Sequence, residues 1–107
     1  MHIDFEQALR QLDGKIMMQR VTDGEFPLTL REVCIGAVNH PQGMAKDGKG
    51  RNEQYQILIK VQHDRDLESE EIAELKRAIG LTWPPVVVGQ AWALLEGKET
   101  GIVSTDH

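Results

Sequence analysis

The fold of this chain is decided by residues 69–96, which read SEEIAELKRAIGLTWPPVVVGQAWALLE. They hold both tryptophans, the Pro-Pro pair and the longest apolar run of the sequence. Ser69 is a residue type favoured at a helix N-cap, and Glu70 and Glu71 would place negative charge at the positive end of a helix dipole. We therefore predict that a helix begins at Ser69 and that this stretch supplies much of the core.

The apolar residues in the first half of the stretch recur with helical spacing. Ile72, Leu75 and Ile79 share one face of a helix, so we place all three in the core. Gly80 follows at the position where a glycine in the left-handed conformation ends many helices. The pattern predicts a helix over residues 69–79 with Gly80 as its cap.

A second helix is predicted after the Pro-Pro pair. Proline is favoured at the first helical position, because its missing amide would have no partner there. The helix is expected to begin at Pro84 or Pro85 and to run to Glu96, with Gly97 as its cap. The valines at residues 86–88 leave a short buried strand as the alternative, but the run QAWALLE favours the helix.

The two tryptophans are assigned different roles. Because about two and a half turns would separate Trp83 from Trp92, the two cannot share one helical face. We assign Trp92 to the core. Trp83, Pro84 and Pro85 form the candidate partner-binding site, because tryptophan is enriched at the centre of protein interfaces. The alternative is that Trp83 packs as a structural residue at the start of the last helix.

The N-terminal residues 1–28 fit two structures. The Asp-Gly pair at residues 13–14 is typical of a hairpin turn, and we favour short strands at residues 3–5 and 16–21 on either side of it. A second Asp-Gly pair at residues 23–24 predicts another turn. A helix remains the alternative, because four apolar residues have helical spacing: Phe5, Ala8, Leu9 and Leu12.

Thr29 begins a clearer element. Thr29 and Glu32 have the spacing of a capping box, and Asn-His-Pro at residues 39–41 predicts the end of the helix that follows. Residues 41–51, PQGMAKDGKGR, are rich in glycine and poor in apolar side chains. We expect a mobile loop there, with nothing to hold it in the core.

Residues 52–63 are ambiguous between strand and helix. Their apolar residues alternate as in a strand, yet they also form a helical face, and Asn52 is a favoured N-cap. We favour a helix because the neighbouring segments are helical. The prediction is a mainly α protein of the α+β class, with about four packed helices and a short N-terminal β-hairpin. A single domain would span residues 1–97, followed by a flexible tail at residues 98–107.

The composition indicates a soluble cytoplasmic protein. The 107 residues fit one domain, and the single cysteine, Cys34, excludes an internal disulfide. The N-terminus lacks the features of a signal peptide, and no apolar run is long enough to span a membrane. The net charge of −5 provides no basic surface for a phosphate backbone, so nucleic acid is not an expected partner.

Two motifs resemble ligand sites but lack residues that those sites require. Gly43 and Lys49 have the spacing of a phosphate-binding loop, but Gly50 stands where Ser or Thr is needed. The acidic segment 64–68 resembles half of a calcium loop without its later Gly and Glu. The histidines show no ligand spacing, and Cys34 lies on an apolar helical face. We assign no catalytic, cofactor-binding or metal-binding residue and expect no enzymatic activity.

Several short motifs connect the chain to a known group of sequences. The C-terminal pattern EEIxxLKxxIG followed by PPxVVGQAWxLLE resembles small proteins encoded by tailed bacteriophages and prophages. The matching segments are residues 3–5, 13–15, 28–30, 71–72, 79–80 and 87–92. The resemblance covers most of the chain apart from residues 41–51 and the tail. It implies a phage or prophage accessory protein in a bacterial host, and it carries over no catalytic residue or cofactor.

The leading hypothesis is a non-enzymatic accessory protein that binds an unknown phage or host protein. A tail-assembly chaperone is an alternative within the same class, and self-association into a homo-oligomer stays open. A nucleic-acid-binding regulator is an alternative from another class, with residues 52–63 and 69–79 as a helix-turn-helix. Glu70, Glu71 and Glu74 oppose it, because they stand where a recognition helix needs donors to base edges.

Overall fold

A computed structural model describes residues 3–102 of the protein. It confirms the predicted class, because four helices follow one short antiparallel hairpin near the N-terminus. None of the helices formed by the described residues combines the length and apolar character needed to cross a membrane. The elements in chain order are β1 (Met18–Val21), β2 (Gly24–Pro27), α1 (Leu30–Asn39), α2 (Gly48–Gln62), α3 (Ser69–Thr82) and α4 (Pro85–Leu95).

Helix α1 lies at the centre of the fold. It packs against α2, α3 and α4, and α3 also packs against α4. The predicted cap at its start is confirmed, since the Thr29 hydroxyl accepts a hydrogen bond from the Glu32 amide at 3.4 Å. Leu30, Val33 and Cys34 are fully buried on the inner face of α1. The other helices are therefore arranged around one short helix, half of whose residues are buried.

Helix α2 confirms the helical interpretation of residues 52–63, and the strand alternative is wrong. The helix begins earlier than predicted, at Gly48, because Asp47 and not Asn52 is its N-cap. The Asp47 carboxylate accepts a hydrogen bond from the Gly50 amide at 2.9 Å and so satisfies a free donor of the first turn. Residues 48–51, which were expected to belong to the loop, therefore form the first turn of the helix.

Helix α3 continues beyond its predicted end. Its N-cap is Glu68, one residue before the predicted Ser69, and Glu68 forms a capping box with Glu71. Gly80 lies within the helix instead of capping it, and the helix runs to Thr82. The helix stops there because Pro84 disfavours helical geometry at the residue before it.

Helix α4 follows its sequence prediction closely. It spans Pro85–Leu95, with proline at its first position. Gly97 has φ of +74°, which confirms it as the left-handed residue after the helix. Val87, Ala91 and Leu95 are buried against the rest of the core.

The N-terminal hairpin is present, and its first strand lies within the predicted strand 16–21, but its partner strand is not the predicted one. Residues 18–21 pair with residues 24–27, so the second Asp-Gly pair closes the hairpin. Residues 3–5 form no strand, and the helical alternative is also wrong. The first Asp-Gly pair closes only an isolated bridge between Arg10 and Ile16, with Gly14 at φ +90°. The segment is irregular because it pairs with several partners in turn, including Leu28 and Thr29.

Trp92 does not take its predicted place in the core. Trp92 is 38% exposed, and its indole N–H donates to the Lys76 carbonyl at 3.0 Å. The Lys76 ammonium group lies 4.8 Å from the centre of the Trp92 ring, so this tryptophan covers the surface where α3 meets α4. Ile72 is also only half-buried. The assignment of Trp92 to the interior was therefore wrong, whereas Leu75 and Ile79 are confirmed as core.

The C-terminal segment was predicted to be a flexible tail over residues 98–107. Residues 98–102 form no helix or strand, and residues 103–107 lie outside the described part of the chain.

Buried polar side chains all have hydrogen-bond partners: no buried side-chain nitrogen or oxygen within residues 3–102 lacks a hydrogen bond. Gln54 and Gln90, both buried inside helices, provide several of these bonds.

Candidate functional site

An open groove lies between α2 and α3. Both helices pack on α1, but their backbones hardly approach each other, which leaves a cavity of about 1020 Å³ between them. The segment that joins α1 to α2 forms a further part of its lining. We call this cavity the α2–α3 groove. Its lining includes Met44, Gln54, Ile57, Glu70, Glu74, Arg77 and Leu81.

The loop wall of the groove is held close to α1 by Gly43. A Cβ atom at this position would lie 2.1 Å from the carbonyl oxygen of Ala37, so only glycine fits here without movement of the backbone. The Gly43 carbonyl accepts hydrogen bonds from Gln54 at 3.0 Å and from Arg77 at 2.9 Å. These contacts correct the expectation that nothing anchors the segment 41–51.

Gln54 is the central polar residue of the wall. Its side chain is 3% exposed and makes three hydrogen bonds. The amide nitrogen donates to the Gly43 carbonyl at 3.0 Å and to Glu74 Oε2 at 2.8 Å, while Oε1 accepts from the Ala45 amide at 2.9 Å. One side chain of α2 therefore fixes both the loop and a carboxylate of α3.

The negative charge of the Glu74 carboxylate is balanced by the guanidinium group of Arg77. Arg77, one turn later on α3, donates from Nε to Glu74 Oε1 at 2.8 Å and from Nη2 to Oε2 at 2.6 Å. The hydrogen bonds from Arg77 lower the pKa of Glu74, the bond from Gln54 lowers it further, and partial burial opposes both. Glu74 is thus ionised and paired with Arg77, and its charge has a structural role in the wall of the groove.

A second ion pair bridges the two helices next to the groove. Lys60 of α2 donates to Glu71 Oε1 of α3 at 2.7 Å. Burial by itself would raise the pKa of Glu71, but hydrogen bonds from the Glu68 amide and from Lys60, with the charge of Lys60, lower it overall. This pair connects α2 to α3 where the helices do not pack on each other.

The remaining lining residues leave the groove apolar at its base and acidic at its rim. Met44 is half-buried and Ile57 is buried, while Leu81 is 54% exposed at the edge. Glu53 and Glu70 are exposed and form no ion pair within the described chain. The geometry is suited to an amphipathic segment, whose apolar side chains would cover the base while its polar groups face the rim.

The predicted partner-binding residues lie outside this groove. Trp83 is half-buried, and its indole N–H donates to the Val33 carbonyl of α1 at 3.1 Å. Its ring also approaches Gly36, where a Cβ would lie 3.3 Å from Trp83 Cζ2. Pro84 and Pro85 beside it are exposed. These contacts support the structural interpretation of Trp83, while partner binding by this corner remains a prediction.

Other features singled out in the sequence have structural partners. The carboxylate of Asp47 accepts from the helical amide that a phosphate would need at the start of α2. Asp64 pairs with Arg31 of α1. Burial raises the pKa of the Cys34 thiol to about 12, which keeps it protonated. No three His, Cys, Asp or Glu side chains between residues 3 and 102 lie together where they could hold a metal ion.

A second exposed surface is the hairpin itself. No helix packs extensively on β1 or β2. Val21 and Phe26 project from one face and are 45% and 51% exposed, while an Arg20–Glu25 ion pair of 3.1 Å lies on the other face. The hairpin therefore extends from the helical body with apolar side chains in contact with solvent.

Comparisons of the chain with protein-family models, with curated proteins and with solved structures found no match.

Sequence reasoning missed the two glutamines that organise the irregular segments. Gln90 of α4 donates to the Arg10 carbonyl at 2.6 Å and accepts from the Arg10 amide at 2.7 Å, much as a neighbouring strand would. Gln54 performs the same task for the loop. The position of each glutamine in the sequence could have indicated this role. Each lies on the buried face of its helix, where a polar side chain needs hydrogen-bond partners to offset its desolvation.

Proposed function

We propose that this chain is a non-enzymatic accessory protein that acts by binding another protein, and that the partner docks in the α2–α3 groove. The observation that supports this most strongly is the groove itself. It combines an apolar base, an exposed leucine at its edge and a wall held by Gly43 and Gln54. Grooves between helices that receive an amphipathic segment are a recurrent mode of protein recognition.

The phage or prophage origin is part of this proposal and rests on the C-terminal sequence pattern alone. The partner would then be a phage protein or a protein of the bacterial host. The acidic face of α3 disfavours the nucleic-acid alternative, because the exposed carboxylate of Glu70 would meet the phosphates or the base edges of a duplex. A tail-assembly chaperone is one form that the proposed role could take.

Site-specific cross-linking tests the proposal. A photo-reactive amino acid replaces Gln56, which is exposed and lines the groove, or Glu25 on the hairpin, and the bacterial host is irradiated after prophage induction. We expect one protein to be captured from position 56 and not from position 25. The purified partner should then bind the chain in solution and lose about tenfold in affinity with Leu81→Ser, because one apolar contact contributes about 1–2 kcal/mol.

Leu12→Ser is the matched control, since Leu12 is 82% exposed and lies outside the groove. Equal capture from both positions, or a purified partner whose affinity is unchanged by Leu81→Ser, would show that the groove is not the binding site. Capture from the hairpin position alone would transfer the binding role to the hairpin.

A further inference from the structure

The rim of the α2–α3 groove carries two kinds of carboxylate. Glu71 and Glu74 are already paired with Lys60 and Arg77, at 2.7 and 2.6 Å. Their charges are largely cancelled inside the protein. Both also bond to side chains of α2, and they have little attraction left for a ligand.

Glu53 and Glu70 differ from these two. Both line the groove, both are exposed, and neither forms an ion pair within residues 3–102. One lies on α2 and the other on α3, so they stand on opposite helices of the same cavity. Lys46 is the only unpaired cation among the described lining residues. The rim thus keeps an excess of negative charge that the fold does not use.

The base between these rims contains apolar side chains beside the hydrogen-bonded amide of Gln54. Ile57 is 3% exposed, Met44 is half-buried, and Leu81 contributes an exposed edge. Methionine adapts its shape to different ligands more readily than branched side chains do. An occupant that matches this surface has apolar side chains on one face and positive charges on both flanks, within reach of the two rims.

We infer that the occupant of the α2–α3 groove is a basic amphipathic segment of the partner protein, held by apolar contacts with the base and by Lys or Arg groups at Glu53 and Glu70. This inference rests on the proposed function and specifies the chemistry of its partner. Charge complementarity of this kind chiefly sets specificity and the rate of association. It also makes binding dependent on salt, because the rim charges are exposed.

Three synthetic peptides test the inference directly. Each has about 15 residues, enough for marginal helix formation, and each carries the same leucines on one face. The polar face is lysine, glutamine or glutamate. Binding to the full-length protein is followed by fluorescence anisotropy at low and at physiological salt. We expect the lysine peptide to bind most tightly, the glutamine peptide several-fold more weakly and the glutamate peptide not at all.

Matched charge variants separate the groove from the overall charge of the protein. Glu53→Gln combined with Glu70→Gln should weaken binding of the lysine peptide by roughly fivefold to tenfold, as expected for two exposed ion pairs. The control is Glu32→Gln combined with Glu99→Gln, two exposed carboxylates outside the groove lining. The control changes net charge equally, so it should leave the affinity nearly unchanged.

The possible results distinguish this inference from the proposed function. Equal weakening by both double variants would mean that net charge attracts the peptide, and the inference would be overturned. Equal binding of all three peptides, abolished by Leu81→Ser, would confirm a protein-binding groove while refuting a basic occupant. A third result would also refute the inference. If no peptide binds and the protein self-associates in sedimentation experiments unless Leu81 is replaced by serine, the occupant of the groove is a second copy of this chain.

Discussion

Replacing Gln54 with leucine should detach the loop wall of the groove from α2. Leucine has a similar size but can make none of the three hydrogen bonds of Gln54. Two of these bonds run from the Gln54 side chain to backbone groups and contribute about 0.5–1.5 kcal/mol each, and the bond to the Glu74 carboxylate contributes about 1.5–3 kcal/mol. The Ala45 amide loses its partner altogether.

Two effects reduce the net cost of this substitution. The Gly43 carbonyl and the Glu74 carboxylate both keep their hydrogen bonds to Arg77. Leucine also gains from burial of its apolar side chain, by roughly 1.5–3 kcal/mol. We therefore expect Gln54→Leu to lower the free energy of unfolding by about 2 kcal/mol.

Urea unfolding followed by circular dichroism measures the total loss, and amide hydrogen exchange locates it. The Ala45 amide should exchange much faster in the variant, because its only partner is gone. Gln62→Leu on the same helix is the control, since Gln62 is exposed and should change stability by less than about 0.5 kcal/mol. If Gln54→Leu matches this control in stability, or leaves Ala45 protected, the described role of Gln54 is wrong.

Four further predictions follow from the fold. Gly80→Ala should raise the free energy of unfolding by about 0.5–1 kcal/mol, because Gly80 is helical and an added Cβ would lie at an ordinary contact distance of 3.5 Å from Trp92. A lower free energy of unfolding in urea would instead support a left-handed cap at Gly80. Gly43→Ala should cost about 1–3 kcal/mol in the same assay, since its Cβ would overlap a backbone oxygen, and an unchanged midpoint would contradict this close approach. Trp83→Ala should cost about 3 kcal/mol and more than Trp92→Ala, and the reverse order would restore Trp92 to the core. The pKa of Glu74 is held below its ordinary 4.5, so its contribution to stability should be complete above pH 4.5 and lost as the pH falls through the folded-state pKa. Glu74→Gln should therefore flatten the decline of the free energy of unfolding that urea unfolding measures at decreasing pH. An equally steep decline in the variant would exclude Glu74 as its source.

The candidate site could be predicted from the sequence only in part. The sequence located α3 and the helical identity of residues 52–63, and so the two sides of the groove. It did not indicate that these helices would both pack on α1 while leaving space between them. That arrangement depends on Gly43 and Gln54, whose partners are distant in the chain or belong to an irregular loop.

The features that the sequence determined by itself are those set by neighbouring residues. Thr29 caps α1, proline opens α4, and Gly97 adopts the left-handed conformation after it, because each effect acts within one helical turn. The number and order of the helices follow from the same local signals, together with their apolar periodicity.

Only the tertiary structure decided which of two locally equivalent options prevailed. Gly80 is compatible with a cap or with a helix interior, and the position of the next proline, together with packing against α4, makes it interior. The burial of a tryptophan depends on which helix faces it: α1 receives Trp83, whereas Trp92 meets Lys76 at the surface. The α2–α3 groove likewise exists because α1 holds both helices apart, an outcome of long-range packing that no local pattern encodes.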